Sequence, residues 1–248
     1  MKKSIVSILA SMIILPAFVY AGDATLTMDL NQGYVWRGIT FNDGLVFQPS
    51  LDVSLPQGFG VNVWANMDID DYDGAYEDGE FSEVDLTLWY GITLGKFELG
   101  AGFIEYLYPH QSIEAGEGET GGALPGSREI YATVAAPVFG GLSANGSLYY
   151  DIDVVEDGYG SLGISYSFTA GRKISAECGV SVGYAGKKMA AGGKEGWHEG
   201  AITACASYSL TDTVSLSVKA GYTDSIDDET LPDQDVNGFG GISMNWSL

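Results

Sequence analysis

Three side chains in the first ninety residues are of types that could bind a ligand. Arg37, at the end of a segment of alternating polarity, could bind an anionic group or form a bidentate ion pair with a facing Asp or Glu. Trp64 and Trp89 share the polar face of neighbouring segments. Their rings could stack on a sugar or an aromatic solute, or they could simply fill the interior. We favour the ion pair and the filled interior.

A run of acidic residues separates the third and fourth segments. It contains no base, and its acids are Asp68, Asp70, Asp71, Asp73, Glu77, Asp78, Glu80 and Glu83. The spacing lacks the glycine and the closing acid of an EF-hand loop. The run therefore predicts either a solvated, self-repelling loop or a weak Ca²⁺ or Mg²⁺ site that bridges the protein to lipopolysaccharide phosphates.

Residues suited to catalysis are scarce. His110 follows a proline in a loop, and His198 is expected on the outer face of a strand with no serine two positions away, as an activated nucleophile on that face would require. We therefore predict no enzyme activity, no catalytic residue, no cofactor and no metal site.

Two cysteines leave the question of a disulfide open. Export into an oxidising compartment would allow Cys178 and Cys205 to pair. Alternation places Cys178 on the outer face and Cys205 on the inner face, however, and bonded side chains must point together.

Strands must position these side chains, because apolar residues recur at every second position after residue 21. In the first segment Leu26 and Met28 flank Thr27, so one face is apolar and the other polar. The pattern predicts twelve strands. In the fifth strand the apolar face changes near Gly102, where we predict a β-bulge.

Short and long connections alternate along the chain, which predicts a barrel with both termini at its short-turn end. The short connections lie at 56–58, 95–96, 139–141, 169–172 and 211–213; the long ones lie at 38–44, 69–82, 109–127, 154–158, 186–197 and 224–236. Outer-membrane barrels have short periplasmic turns, long extracellular loops and an even number of strands. Lys2 and Lys3 precede an apolar stretch that ends at Ala21, which predicts a signal peptide over 1–21 and one domain over 22–248.

A soluble β-sandwich would alternate in the same way, but two features favour a membrane barrel. The strands run to ten or more residues, longer than is usual in soluble sheets. Aromatic residues of the apolar face also cluster into two girdles, as at membrane interfaces. They are Phe59, Tyr90, Phe97, Phe168, Tyr208 and Trp246 at the short-turn end, and Tyr34, Trp36, Tyr184 and Tyr222 at the loop end. We therefore predict an all-β, antiparallel transmembrane barrel of the bacterial outer membrane.

Ordered motifs in the first half of the mature chain resemble the TorF-type porin family. They are the segment 34–40 (YVWRGIT), Gln48 with Asp52, the segment 60–66 (GVNVWAN), the segment 106–109 (YLYP) and the segment 129–131 (EIY). The resemblance implies a small outer-membrane barrel that acts as a porin. It does not extend to the second half, which shows only the general barrel pattern.

The expected function is passive diffusion of small solutes through a porin-like channel. We expect the pore to be lined by Asp29, Arg37, Asp52, Asn62, Trp64, Asn66, Asp85, Trp89, Glu129, Tyr131 and Asp151. The formal net charge is −22 for the whole chain, which argues against nucleic acid as a partner. The charged residues assigned to the polar faces predict cation preference, because acids outnumber bases there. The ten acids are Asp29, Asp52, Asp68, Glu83, Asp85, Glu98, Glu129, Asp151, Asp153 and Glu177, and the three bases are Arg37, Lys173 and Lys219. The expected partners are outer-membrane lipid, lipopolysaccharide, and small solutes or ions. The alternative is a non-conducting structural or adhesive barrel with acidic loops that bind divalent cations.

Overall fold

Alternating apolar and polar residues form a sheet with one apolar face, and a sheet closed on itself leaves no edge strand exposed. This computed structural model describes residues 22–70, 78–113 and 122–248, and their long strands form a closed antiparallel barrel. Among these residues, no helix is long and apolar enough to cross a membrane.

The strands follow the predicted segments closely. In chain order they are β1 (Ala24–Asn31), β2 (Tyr34–Trp36), β3 (Ile39–Asn42), β4 (Val46–Ser54), β5 (Phe59–Asp68), β6 (Phe81–Leu94), β7 (Phe97–Leu107), β8 (Ser112–Ile113), β9 (Gly122–Ala123), β10 (Ser127–Phe139), β11 (Leu142–Asp151), β12 (Gly158–Ala170), β13 (Ile174–Ala185), β14 (Gly196–Ser209), β15 (Val214–Ser225) and β16 (Gly238–Ser247). One turn of 3-10 helix, Pro56–Gly58, connects β4 to β5.

Twelve of the described strands form the barrel, as the sequence predicts. Strands β2 and β3 pair only with each other, and so do β8 and β9. Closure comes from β1, which pairs with β4 on one side and with β16 on the other, so that Leu26 lies opposite both Leu51 and Trp246. Every other barrel strand pairs with its neighbours in chain order.

The outer face of the barrel is apolar. Leu148, Leu162 and Val218 are more than half exposed, at 69%, 61% and 62%, although each lies in the middle of a strand. Burying apolar surface drives folding, so a wall of exposed leucine and valine indicates that lipid covers this face.

The girdle at the short-turn end is confirmed, because its six aromatic side chains are exposed on the outer face. At the loop end Tyr184 and Tyr222 are also exposed, but the assignment of Tyr34 and Trp36 to this girdle is wrong. Both belong to the short β2–β3 sheet, where Trp36 packs edge-on against Tyr106 inside the barrel.

The predicted bulge near Gly102 is wrong. Strand β7 pairs in unbroken register with both β6 and β10, so Tyr106 points into the lumen and Glu105 points outward. Glu105 stays on the outer face because Arg128 lies beside it, with Arg128 Nη2 3.1 Å from Glu105 Oε1.

Among the described barrel strands, register shifts occur at three other pairings. Ser82 is the additional residue where β6 pairs with β5, and Val138 is the additional residue where β10 pairs with β11. In the third, His198 and Glu199 of β14 together oppose Gly183 of β13. A bulge changes which side chains point inward. Consequently Ser82 and Glu83, like His198 and Glu199, are buried as adjacent pairs.

Two charged residues assigned to the lumen face outward instead. Asp153 is exposed and forms an ion pair with Arg128 on the outer rim, at 3.0 Å between Nη1 and Oδ2. Lys173 lies over the ring of Tyr208 in the aromatic girdle, 5.5 Å from its centroid. Both belong to connections, where strand alternation no longer fixes the direction of a side chain.

The most deeply buried side chains lie at the loop end of the barrel. Leu231, His198, Glu129, Val46 and Asn42 all have less than 2% of their surface exposed. Among the described residues, burial is therefore deepest at the loop end of the barrel.

Candidate functional site

The hairpin formed by β2 and β3 is the central feature of the lumen. Trp36 pairs with Ile39, and the two residues between them, Arg37 and Gly38, have positive φ angles of 52° and 79°. Two-residue β-hairpin turns favour this conformation. Glycine adopts it freely, whereas arginine does so at an energetic cost that surrounding contacts must offset.

The hairpin tip reaches across the barrel. The hairpin connects β1 to β4, and the strand order places β11 opposite β1. Arg37 nevertheless contacts Glu129 of β10, with both of its terminal nitrogens 2.8 Å from the two carboxylate oxygens. The side chains are 8% and 2% exposed. The predicted ion pair between Arg37 and a facing acid is therefore present, and it crosses the lumen.

Aromatic rings enclose the Arg37 guanidinium. Its central carbon lies 4.0 Å from the ring centroid of Trp36, 4.6 Å from that of Tyr149 and 4.5 Å from that of Tyr159. The Tyr106 hydroxyl donates a hydrogen bond of 2.8 Å to Glu129. Cation–π contacts and a bidentate ion pair together hold a buried charge that would otherwise be costly.

The base of the hairpin is anchored to β5 and β6. The Tyr34 hydroxyl donates to Glu83 at 2.9 Å, and the Tyr34 ring lies 5.6 Å from that of Trp64. The Asn42 amide donates to Asp68 Oδ1 at 2.7 Å. Both ends of the hairpin are thus fixed to the barrel wall.

The long connections support the tip from above. The Thr40 backbone N–H donates to the Gln234 side chain at 2.9 Å. A Cβ added at Gly38 would lie only 2.8 Å from side-chain atoms of Glu199 and Leu231, so only glycine fits there without displacement. The hairpin is therefore packed into the loop end of the barrel.

Asp157 organises the loop that carries Met189, whose sulfur lies 3.6 Å from Arg37 Nη1. The Asp157 carboxylate accepts backbone hydrogen bonds from Gly158, Lys188 and Met189. Burial by itself would raise the pKa of Asp157, but these hydrogen bonds and the charge of Lys188 outweigh burial and lower the pKa below 3.8.

The cavity beneath the hairpin brings several of the expected lining residues together. Its volume is about 340 Å³, and it is lined by Tyr34, Trp36, Arg37, Trp64, Asp85, Ile104, Tyr106, Ser147, Tyr149, Tyr159 and Ser161. The strand register places Trp64 opposite Asp85, and Asp85 opposite Tyr106. Three adjacent strands therefore contribute a ring, a carboxylate and a second ring in one row.

The other expected lining residues lie outside this cavity. Asp29 forms an ion pair with Lys219 on the lumen wall. Asn66 is buried and donates to Asp68 Oδ1 at 3.0 Å and to Ser82 at 2.9 Å. Inward positions elsewhere on the strands are occupied by Asp52, Asn62, Trp89 and Tyr131.

Asp151, also expected to line the pore, is 3% exposed and binds the loop at its own strand end. Its Oδ2 accepts from the Ser127 hydroxyl, and its Oδ1 accepts backbone N–H groups of Asp153, Val155 and Glu156. The described contacts of Asp151 therefore order the β11–β12 connection.

Alternation along the sequence placed His198 on the wrong face and missed Glu199, because the bulge in β14 reverses the alternation of faces there. His198 was expected on the outer face but is buried, with its Nδ1 2.9 Å from Glu199 Oε2. Glu199 also accepts a hydrogen bond from the Tyr159 hydroxyl. The available signal is a break in parity, since apolar positions on this strand are odd at Trp197 and even from Ile202 onward.

The structure describes only part of the acidic run. Asp68 and Glu83 are buried in the barrel wall, 1% and 6% exposed, so they do not belong to a solvated loop. Asp71, Asp73 and Glu77 lie outside the described residues. Among the described residues, no group of three or more His, Cys, Asp or Glu side chains could hold a metal ion.

Both cysteines are free thiols, which answers the open question of the disulfide. Cys178 pairs with Ala204, and Cys205 pairs with Glu177, so the two thiols lie on opposite faces of neighbouring strands.

A closed twelve-stranded antiparallel barrel with an apolar exterior and a polar lumen defines an outer-membrane porin-like fold. Residues 21–228 match the family described as "Bacterial protein of unknown function (Gcw_chp)", and the chain belongs to this family. No curated protein matches its sequence.

Solved structures of outer-membrane channels share the fold. The KdgM porin aligns with a TM-score of 0.54 at 10% identity, covering 91% of this chain and 99% of that one. The NanC porin aligns with a TM-score of 0.53 at 10% identity, covering 90% and 98%. An outer membrane channel from Pseudomonas putida F1 aligns with a TM-score of 0.56 at 10% identity, covering 92% and 95%.

Proposed function

We propose that this barrel is an outer-membrane channel for passive diffusion of small solutes and that it prefers cations. The observation that carries the proposal is the charge of the lumen. The acids at inward positions of the described strands are Asp29, Asp52, Asp68, Glu83, Asp85, Glu98, Glu129, Asp151, Glu177 and Glu199. The bases found there are Arg37 and Lys219.

The excess of acids over bases in the lumen is expected to attract cations. Low-dielectric walls focus the field of like charges into a pore, which concentrates counter-ions and repels ions of the same sign. Rings of Asp and Glu select cations in other channels by this means. The KdgM porin has been solved in complex with oligogalacturonate, a polyanion. The lumen of this chain would disfavour such a solute, so we propose a different substrate class.

Reversal potentials across a salt gradient test the proposal in planar bilayers. We expect cation preference in the wild type and a smaller preference in Asp52→Asn and Asp85→Asn. Asp153→Asn is the matched control, because it removes the same charge from the outer rim. Anion preference in the wild type, or equal effects of all three variants, would rule out selection by lumen charge.

The inward hairpin supports a second candidate, a structural barrel that does not conduct. The Arg37–Glu129 pair spans the lumen, and a tightly held hairpin would block the pore. A variant in which a short glycine turn replaces residues 32–45 tests this alternative, since Asn31 and Val46 already pair across the connection. Silence of the wild type together with current through the variant would support the structural barrel.

The proposal also covers the family relationship of the protein, its export and its contacts with lipopolysaccharide. The motifs shared with TorF-type porins support a closer relationship with them. We also propose export by the signal peptide over 1–21, which lies outside the described residues, and divalent-cation bridges from the acidic loop to lipopolysaccharide. The absence of enzyme activity remains a prediction.

A further inference from the structure

The cavity beneath the hairpin combines aromatic faces with an unsatisfied carboxylate. Rings of Tyr34, Trp36, Trp64, Tyr106, Tyr149 and Tyr159 form most of its wall. Its volume of about 340 Å³ falls in the range of small-molecule sites, about 300–1,000 Å³. The cavity can therefore hold a solute rather than only a few waters.

Arg37 contributes little attraction for an anion in this cavity. Both of its terminal nitrogens are bonded to Glu129, and its flat faces are covered by three rings. The ion pair neutralises its charge. A solute in the cavity therefore meets a cation whose charge is already paired with Glu129.

Asp85 is in the opposite condition. Its Oδ1 is buried without a hydrogen-bond partner in the described part of the chain. The Asp85 carboxyl group shares a side-chain hydrogen bond with that of Glu83. Glu83, two positions along the same strand, accepts a hydrogen bond from Tyr34. No ion pair of either carboxylate with a lysine or arginine occurs in the described part of the chain.

Two neighbouring carboxylates without a base repel each other, and a proton or a bound cation relieves that repulsion. The face of an aromatic ring also attracts cations, because its quadrupole is negative there. Trp64 and Tyr106 flank Asp85 on the two adjacent strands. The cavity thus offers a carboxylate between two aromatic residues, a combination that suits an organic ammonium ion.

We propose that this cavity is a binding subsite for a small organic cation, such as a quaternary or primary ammonium compound, on the path through the barrel. The proposal rests on the channel function proposed above. It assigns Asp85 as the counter-ion, with Trp64, Tyr34 and Tyr106 as the aromatic faces that contact the ammonium group. Arg37 and Glu129 hold the hairpin that roofs the cavity.

Choline and 3,3-dimethylbutan-1-ol test the proposal, because the alcohol has the same shape with a neutral carbon in place of the ammonium nitrogen. In planar bilayers we expect choline to block the potassium current through the purified protein, and the alcohol to have no effect. Equal block by the two compounds would overturn the proposal, since shape rather than charge would then govern binding.

Variants separate a local site from the general field of the lumen. We expect Asp85→Asn to weaken choline block by about tenfold or more, which corresponds to about 1.4 kcal/mol, and Trp64→Leu to weaken it severalfold. Asp52→Asn removes an equal charge from a strand that does not line the cavity. It should reduce cation preference yet weaken choline block much less than Asp85→Asn does. Equal weakening by Asp52→Asn and Asp85→Asn would overturn the subsite.

Binding measured without conduction distinguishes failure of the subsite from failure of the channel. Tryptophan fluorescence of the folded protein in detergent micelles can be titrated with choline and with the neutral alcohol. Choline binding that depends on Asp85 in a barrel that carries no current would support the subsite and refute the channel. A conducting barrel that does not bind choline would refute the subsite alone.

Discussion

Glu129→Gln tests the contact that holds the hairpin across the lumen. The change keeps the size of the side chain but removes the charge that faces Arg37, and the two side chains are only 2% and 8% exposed. Breaking a buried ion pair by removing one partner costs about 3–5 kcal/mol, because the remaining charge stays buried without compensation. Solvent screening is weak at this depth, so we expect the cost of leaving Arg37 unpaired in its buried position to lie in that range.

Release of the hairpin limits how much of this cost appears as lost barrel stability. If the tip leaves its contacts, Arg37 reaches water, and the penalty cannot exceed the free energy that holds the hairpin in place. We therefore expect two results together: a lower free energy of unfolding in urea and detergent micelles, and a larger single-channel conductance. Glu177→Gln is the control, because Glu177 is exposed and its described hydrogen bond comes from Ser167 alone.

A double-mutant cycle decides whether the ion pair is responsible. Arg37→Met combined with Glu129→Gln removes both charges, so no unpaired charge remains buried. We expect the double variant to be more stable than the sum of the single effects predicts, by about 2 kcal/mol or more. Additive effects, with unchanged conductance in Glu129→Gln, would refute the reasoning that this pair fixes the hairpin.

Three further predictions concern the lipid face, the Asp157 loop and the hairpin turn. Val180→Arg should destabilise the barrel by about 2–4 kcal/mol, because Val180 faces lipid near mid-strand, whereas Ser181→Arg on the opposite face should cost much less; equal costs in urea titrations would contradict the assigned faces. Asp157→Asn should reduce hydrogen-exchange protection of the amides that the carboxylate binds. Because the folded pKa is lowered, that protection is present above pH 3.8 and is lost as the pH falls through the folded value, where wild type and variant should converge. Gly38→Ala should increase conductance by displacing the hairpin, whereas Gly193→Ala, which has a similar φ of 73° but open space around it, should leave conductance unchanged. Equal conductance in both glycine variants would show that close packing at Gly38 does not hold the hairpin.

The barrel strands could be predicted from the sequence because the alternation that marks each strand lies within that strand. Leu162, Ile164, Tyr166 and Phe168 alternate with small or polar residues, and this local pattern fixes both the strand and its lipid face. Short connections then require neighbouring strands to be antiparallel. The number of strands follows from these local signals without knowledge of any distant contact.

The positions of bulges could not be predicted from alternation, because one additional residue exchanges the inward and outward faces of the rest of the strand. The change of polarity after Gly102 suggested a bulge, yet β7 pairs without interruption and Arg128 of β10 stabilises Glu105 on the outside. The bulge at His198 and Glu199 depends on contacts with Tyr159 and Gly183 from other strands. Cross-strand partners, and not the spacing within one strand, decide where a register shifts.

The sequence by itself determined a closed, lipid-facing barrel with an acidic interior, because period-two patterning and charge are properties of the chain. Only the tertiary structure placed the segment containing Tyr34 and Trp36 inside the lumen and not in the girdle. The physical reason is the partner of Arg37. A buried arginine is costly unless a carboxylate pairs with its charge, and closure of the barrel brings Glu129 to it from 92 positions along the chain.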